Sequence, residues 1–248
     1  MRSGDEKPGS PIRSPLTLIQ EPPPEFLPVT GGTALITRMS RVLLSGESGE
    51  GSTWAALTLA VEHMRATEPV VWLDANGDGP DLIVERLRLL GAVDEDIAYG
   101  FGYAQMYDAG DLPALAEAIR RRRPSLLVVD GWGMALAAVG MRCDDEDDLA
   151  RWCRVIADPV WKSGGVVLTT CDPETAEGWA RRGVDLHLRI AQVGAPRFSR
   201  ERDGLFRLDV GKDRLGHVRP QADAFLLSLS HREGGIRWNV RPEEVAHA

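Results

Sequence analysis

Lysine is scarce in this chain of 248 residues: it stands only at Lys7, Lys162 and Lys212, and the remaining Lys/Arg positions are all arginine. Cysteine is also scarce. Cys143, Cys153 and Cys171 are odd in number and form no C-x-x-C pair. That argues against a disulfide framework and a zinc site, and for reduced thiols in a cytoplasmic protein. The histidines His63, His187 and His217 lack metal-ligand spacing. No apolar run approaches the roughly 18 residues of a membrane span. The first residues, Met-Arg-Ser-Gly-Asp-Glu-Lys-Pro, contain no apolar h-region, so no secretory signal is expected. Net charge is -8, which excludes an obvious nucleic-acid binder but is compatible with a local basic patch. No internal repeat is visible. At 43% hydrophobic and 27% charged, the composition suits one α/β domain with tails, long enough to bury a sizeable core.

The strongest signal that is present is Gly46-Glu-Ser-Gly-Glu-Gly-Ser-Thr53, between Arg41-Val-Leu-Leu44 and the apolar stretch that starts at Trp54. Strand, glycine-rich turn and helix is the layout of a phosphate-binding loop, G-x-x-x-x-G-K-[ST]. Gly46, Gly51 and Thr53 fall on this pattern, and Ser52 stands where the lysine belongs. Such a loop works through backbone N–H groups and a helix N-terminus, to which lysine adds charge and Ser/Thr a magnesium ligand. Gly46, Gly49 and Gly51 give the backbone room. Glu47 and Glu50 add negative charge beside the phosphate seat. An ordinary glycine-rich strand-to-helix turn has the same local sequence, and the loop alone leaves both readings open.

Around the loop, hydrophobic periodicity sets the expected elements. Residues 1–30, rich in Pro, Ser, Gly and charge, are expected to form an extended arm, 31–242 the folded domain and 243–248 a tail. The runs 33–36 and 41–44 suggest a hairpin leading into the loop. Helices are expected over 53–65, 80–90, 112–121 and 145–156, the last with an acidic start that suits the helix dipole. Strands are expected over 69–74, 126–130, 166–170, 205–210, 224–229 and 236–240, with 97–106 a weaker candidate. Alternating strands and helices imply a mostly parallel sheet covered on both faces, with late antiparallel strands.

Asp130 ends the apolar strand Leu126-Leu-Val-Val-Asp130 and suits a Walker B aspartate in the magnesium shell. Asp74 ends a similar strand and is open to a plain turn-capping role. Lys212 and Arg214 follow a late strand, where such a pair can reach a neighbour's γ-phosphate, or can simply sit in a solvated turn. The run Arg120 to Arg123 reads as a solvated helix end, and the seven tryptophans as packing residues.

The motifs occur in a family order. From about 35 to 218 the chain resembles the RecA/DnaB-like ATPases, specifically the RepA-type hexameric replicative helicases of plasmids, phages and actinobacterial mobile elements. The stretches that carry this are Leu44-Ser-Gly-Glu-Ser-Gly-Glu-Gly-Ser-Thr-Trp54, Val71-Trp-Leu-Asp74, Glu85-Arg-Leu87, Leu127-Val-Val-Asp-Gly131, Asp145-Glu-Asp-Asp-Leu-Ala-Arg-Trp152 and Leu208-Asp-Val-Gly-Lys-Asp-Arg-Leu-Gly-His-Val218. The last is close to the family's T-K-D-R-x-G-H-V. The resemblance implies a RecA-like P-loop fold, ATP with magnesium at Thr53 and Asp130, and Lys212 and Arg214 acting across a subunit boundary. The departures fall at the chemical positions. The family's lysine falls on Ser52, its catalytic glutamate on Asn76 and its γ-phosphate-sensing Asp-His pair on Thr170-Cys171. The DNA loop that follows is shortened to 172–188. The expectation is a pseudo-ATPase that binds nucleotide weakly, pairs with itself or another RecA-like protein, and meets DNA weakly or indirectly. The alternative is an active RepA-type ATPase or helicase whose cation comes from elsewhere. A different enzyme chemistry on the same fold finds no nucleophile–base pair here.

Overall fold

The structure is a computed structural model that describes residues 35–106, 112–194, 197–199, 201–214, 216 and 224–243, with the backbone alone at 180–182. The expected arm, Thr33 and Ala34 of the expected hairpin, most of the tail, and Leu215, His217 and Val218 lie outside the described residues.

Among the described residues nine strands form a single sheet in the order β3-β2-β4-β5-β1-β6-β7-β8-β9. They are β1 (Arg41–Ser45), β2 (Val70–Asp74), β3 (Phe101–Gln105), β4 (Leu126–Asp130), β5 (Val166–Cys171), β6 (Leu186–Gln192), β7 (Gly204–Asp213), β8 (Ala224–Arg232) and β9 (Gly235–Pro242). The first six are mutually parallel, and β7 to β9 continue antiparallel. β2, β4 and β5 are buried at every position, as their unbroken apolar runs require of central parallel strands.

The helices are α1 (Ser52–Arg65), α2 (Pro80–Leu89), α3 (Asp94–Gly100), α4 (Leu112–Arg122), α5 (Trp132–Ala138), α6 (Glu146–Trp152), α7 (Asp158–Lys162) and α8 (Pro173–Arg182). One core face joins α1 and α2 to the sheet through Leu57, Val61, Ile83 and Leu87. The opposite core gathers Leu136, Leu149, Ile156 and three tryptophans. Trp132 stacks on Trp179 at 4.6 Å and meets Trp152 edge-on at 5.1 Å. Fully burying one large apolar side chain contributes roughly 1.5–3 kcal/mol, so this second core fixes α5, α6 and α8 firmly against the sheet.

Several expectations are corrected. There is no hairpin at β1, because β5 and β6 occupy both of its edges; Leu35 and Ile36 are buried core residues instead. Residues 97–106 divide between the end of α3 and β3. The helix expected over 145–156 is α6, capped by the Asp145 carboxylate on the N–H groups of Asp147 and Asp148, and it runs through a π-helical turn (Cys153–Ala157) into α7. The shortened loop of 172–188 is mostly α8, with Asp172 at its N-cap and Pro173 in its first turn, followed by the start of β6. β7 continues past the expected 205–210 to Asp213, so Lys212 is a strand residue.

Candidate functional site

β1 ends at Ser45, and the chain turns at once through 46–51 into α1. The turn is pinned at its start by the Gly46 N–H, which donates to Cys171 O at 3.1 Å. A Cβ on Gly46 would come within 2.7 Å of the Ile190 carbonyl. Gly51 is the N-cap of α1 with φ 92°, and a Cβ there would collide with the Phe206 ring. Only glycine fits both constraints. No side chain caps α1 and its first turn has no acid. Its first N–H groups, with the positive end of the helix dipole, form a seat for an anion.

Thr53 and Asp130 meet beneath this seat. β5 separates β1 from β4, and the register places Asp130 opposite Thr170. The Thr53 hydroxyl donates to the Asp130 carboxylate at 3.1–3.2 Å. Thr170 Oγ1 donates to it at 2.6 Å and accepts the Gly131 N–H at 3.0 Å. Burial pushes the Asp130 carboxyl up to about 6, against the two threonine hydrogen bonds and with help from the charges of Asp78 and Asp74. Sequence reasoning missed Thr170 as the partner that orients Asp130, since only the strand order brings them together.

The pKa shift has a consequence for stability. From its ordinary value of 3.8 to about 6, the folded chain holds a proton that the unfolded chain has released. Stability therefore falls as pH rises through this window, and the whole cost is felt above it. We expect Asp130→Asn to be more stable than wild type at pH 7 by on the order of 2–3 kcal/mol. Melting curves from pH 4.5 to 7.5 in magnesium-free buffer check this. Wild type should lose several degrees relative to the variant as pH rises, and parallel curves would contradict the assignment.

The open cavity above the loop has a volume of about 650 Å³. Glu47, Ser52, Thr53, Asn76, Asp78 and Arg86 contribute to its lining. Among the described lining residues Arg86 is the only cation. It pairs with Asp78 and lies 5.5 Å from the centre of the Trp54 ring. Trp54 meets Phe198 edge-on at 5.1 Å, so two aromatic rings flank the loop. Sequence reasoning missed Arg86, Trp54 and Phe198. Trp54 was the legible one, since it directly follows Thr53.

Ser52, the first residue of α1, lines the cavity with a neutral side chain. Asn76 lies beside Gly131, where its Oδ1 fills the space a Cβ would need, so it does stand next to the end of the Asp130 strand. Glu50 is turned away from the seat: its carboxylate accepts the Gln192 N–H and pairs with Arg197 at 3.5 Å. Arg197 also packs on Gly49. Asp74 is a turn cap, accepting the N–H groups of Gly77 and Gly79 at 2.8 and 2.9 Å and the Tyr103 hydroxyl at 2.7 Å. Lys212 and Arg214 do not line this cavity. Lys212 pairs in register with His187, and Arg214 donates its N–H to Asp185 O at 2.7 Å. The backbone and the Thr53–Asp130 pair thus fit a magnesium–nucleotide phosphate, while the side-chain charge around them does not.

No protein-family model matches the chain, and no curated protein does. Solved structures do match, among them the flagellar accessory protein FlaH from Methanocaldococcus jannaschii. It shares 13% identity with this chain at a TM-score of 0.62, over 87% of this chain and 93% of that one.

The chain has the RecA-like P-loop fold. Some 466 chains of known structure match it, so the fold leaves the activity to be argued from the site. Among the described residues no helix is long and apolar enough to cross a membrane. None of their His, Cys, Asp and Glu side chains form a group of three that could hold a metal ion.

Proposed function

We propose that the protein is a RecA-like pseudo-ATPase of the RepA/DnaB type, acting as a structural or regulatory partner in a DNA-linked plasmid, phage or mobile-element system. One observation carries this reading: the loop and the Thr53–Asp130 pair are built, while Ser52 in the loop and Asn76 beside Gly131 are neutral, and in the RepA/DnaB resemblance these are the positions of the lysine and the water-orienting glutamate. Phosphoryl transfer depends almost wholly on positioning and charge stabilisation. Losing one such donor typically costs on the order of 100- to 1000-fold in rate. Gly49, Gly51 and Ser52 would hold phosphates through their N–H groups, Gly46, whose N–H is bound to Cys171 O, would give the turn its room, and Thr53 and Asp130 would stand at magnesium. Binding is expected to be weak because the cavity's acids, Glu47, Asp78 and Asp172, oppose it.

A second reading is favoured by Arg86 and Arg197, which put guanidinium groups beside the cavity and the loop. In it the chain is an active ATPase that uses arginine in place of lysine. The two differ in turnover. Phosphate release with magnesium, with and without single-stranded DNA, should stay at background. Turnover that Asp130→Ala abolishes and Arg86→Ala weakens would establish the second reading instead.

A further inference from the structure

One face of the half-sheet β6–β9 joins the core. Through the middle of the four strands burial alternates: Leu188, Ile190, Phe206, Leu208, Leu227 and Trp238 point into the core, and a register shift at His187/Leu188 brings Lys212 opposite His187, on the other face. The residues between the core positions, half-buried or exposed, form the opposite face. That face holds Arg189, Arg207, Lys212, Arg237 and Arg241, against Asp209 and Glu243, paired with Arg207 at 3.0 and 3.2 Å, and Asp185 at the Lys212 end. In a chain of net charge -8 this is a marked local reversal.

The register gives the cations a shape. Lys212 lies opposite His187, one step along β6 from Arg189. Arg207 lies opposite Ala191, and the same rung continues through Leu226 to Arg241. Arg237, opposite Ser230, lies further along β9. With ordinary strand spacing, successive members are about 8–14 Å apart at Cα. They trace a diagonal stripe across the face, not a compact patch. Ser228, Ser230 and Asn239 lie beside it as neutral hydrogen-bonding groups.

We propose that this stripe is a docking surface for the sugar–phosphate backbone of a single nucleic-acid strand. A line of cations, mostly arginine, complements a linear polyanion, and the planar guanidinium fork suits phosphate oxygens. No Phe, Tyr or Trp lies on the described face, and His187 is half-buried, so the contact is electrostatic, without base readout, and fades as salt rises. The proposal extends the DNA-linked reading but uses no residue that lines the cavity. The turnover assay and the binding assay can therefore fail separately.

The test uses the full-length protein, a fluorescein-labelled 20-mer of thymidylate and anisotropy titrations across about 20–200 mM KCl. Wild type should bind weakly at low salt and release the strand as salt rises, with log K falling by about 0.7 per phosphate contact per tenfold salt. Arg189→Glu/Arg237→Glu/Arg241→Glu should weaken binding at least tenfold at the lowest salt and flatten the slope by about 2. The glutamine triple at the same positions should show the same direction, which separates loss of contact from any misfolding by the glutamates. A control triple, Arg88→Glu/Arg120→Glu/Arg121→Glu, makes the same net change at exposed sites elsewhere. It should lose much less. Equal loss in the control, or full affinity in the glutamine triple, would overturn the proposal. So would displacement of the oligonucleotide by poly-L-glutamate at equal charge concentration as effectively as by unlabelled strand, which would assign the face to an acidic protein.

Discussion

Ser52→Lys is expected to tighten magnesium–ATP binding by roughly 10- to 100-fold and to leave hydrolysis at background. The side chain at position 52 begins α1 and lines the cavity. An ammonium there meets phosphate oxygens already held by the loop's N–H groups. A charge-assisted hydrogen bond is worth about 1.5–3 kcal/mol, and each 1.4 kcal/mol is about a factor of ten in affinity. Turnover needs more than charge: a carboxylate must also orient the attacking water, and the residue beside Gly131 is Asn76. Ser52→Lys/Asn76→Glu should therefore be the first variant with measurable turnover. Calorimetry and steady-state phosphate release on the single and double variants check both halves. Full activity from Ser52→Lys alone would show that Asn76 was wrongly assigned.

A second large effect is expected from Lys212 and Arg214. Neither lines the cavity of its own chain. The strand end that carries them is tied down by Asp185, which is 5% exposed, accepts the Arg41 N–H at 3.0 Å, and lies 3.8 Å from Arg214 Nη1. Burial lowers the Lys212 pKa, and the Asp185 charge works against that shift. A chain that does not hydrolyse ATP can still present these cations to the nucleotide of an active RecA-like partner. An arginine finger supplied in trans is worth about 1000-fold or more in rate. Adding this protein to such a partner should stimulate the partner's ATPase, and Lys212→Ala/Arg214→Ala should remove the stimulation. If wild type stimulates nothing, or the double variant stimulates equally, the pair serves only its own strand end.

The packing positions were largely legible in sequence, because apolar runs such as 126–130 and 166–170 admit little but buried parallel strands. α1 and α2 were legible through their periodicity. α5 escaped because seven residues, Trp132–Ala138, are too few to show a helical period. α8 and β6 escaped for another reason: the family likeness suggested a loop there, although β6 carries a clear two-residue alternation. The chemistry was less legible than the fold. Gly46, Gly51, Thr53 and Asp130 lie on local patterns. Thr170 bonds Asp130 only because β5 inserts between β1 and β4, and strand order is not a local property. Arg86 reads in sequence as one more exposed helix arginine, and only the packing of α2 beside Trp54 turns it toward the cavity.

The most direct test of the pseudo-ATPase reading is a single-turnover experiment, with protein in large excess over γ-labelled ATP, magnesium present and single-stranded DNA added. The excess captures weakly bound nucleotide and makes slow product release irrelevant. The expected result is no labelled phosphate above the buffer control over several hours, for wild type and Asp130→Ala alike. A burst of phosphate from wild type that is absent in Asp130→Ala would show that Ser52 and Asn76 do not disable the site.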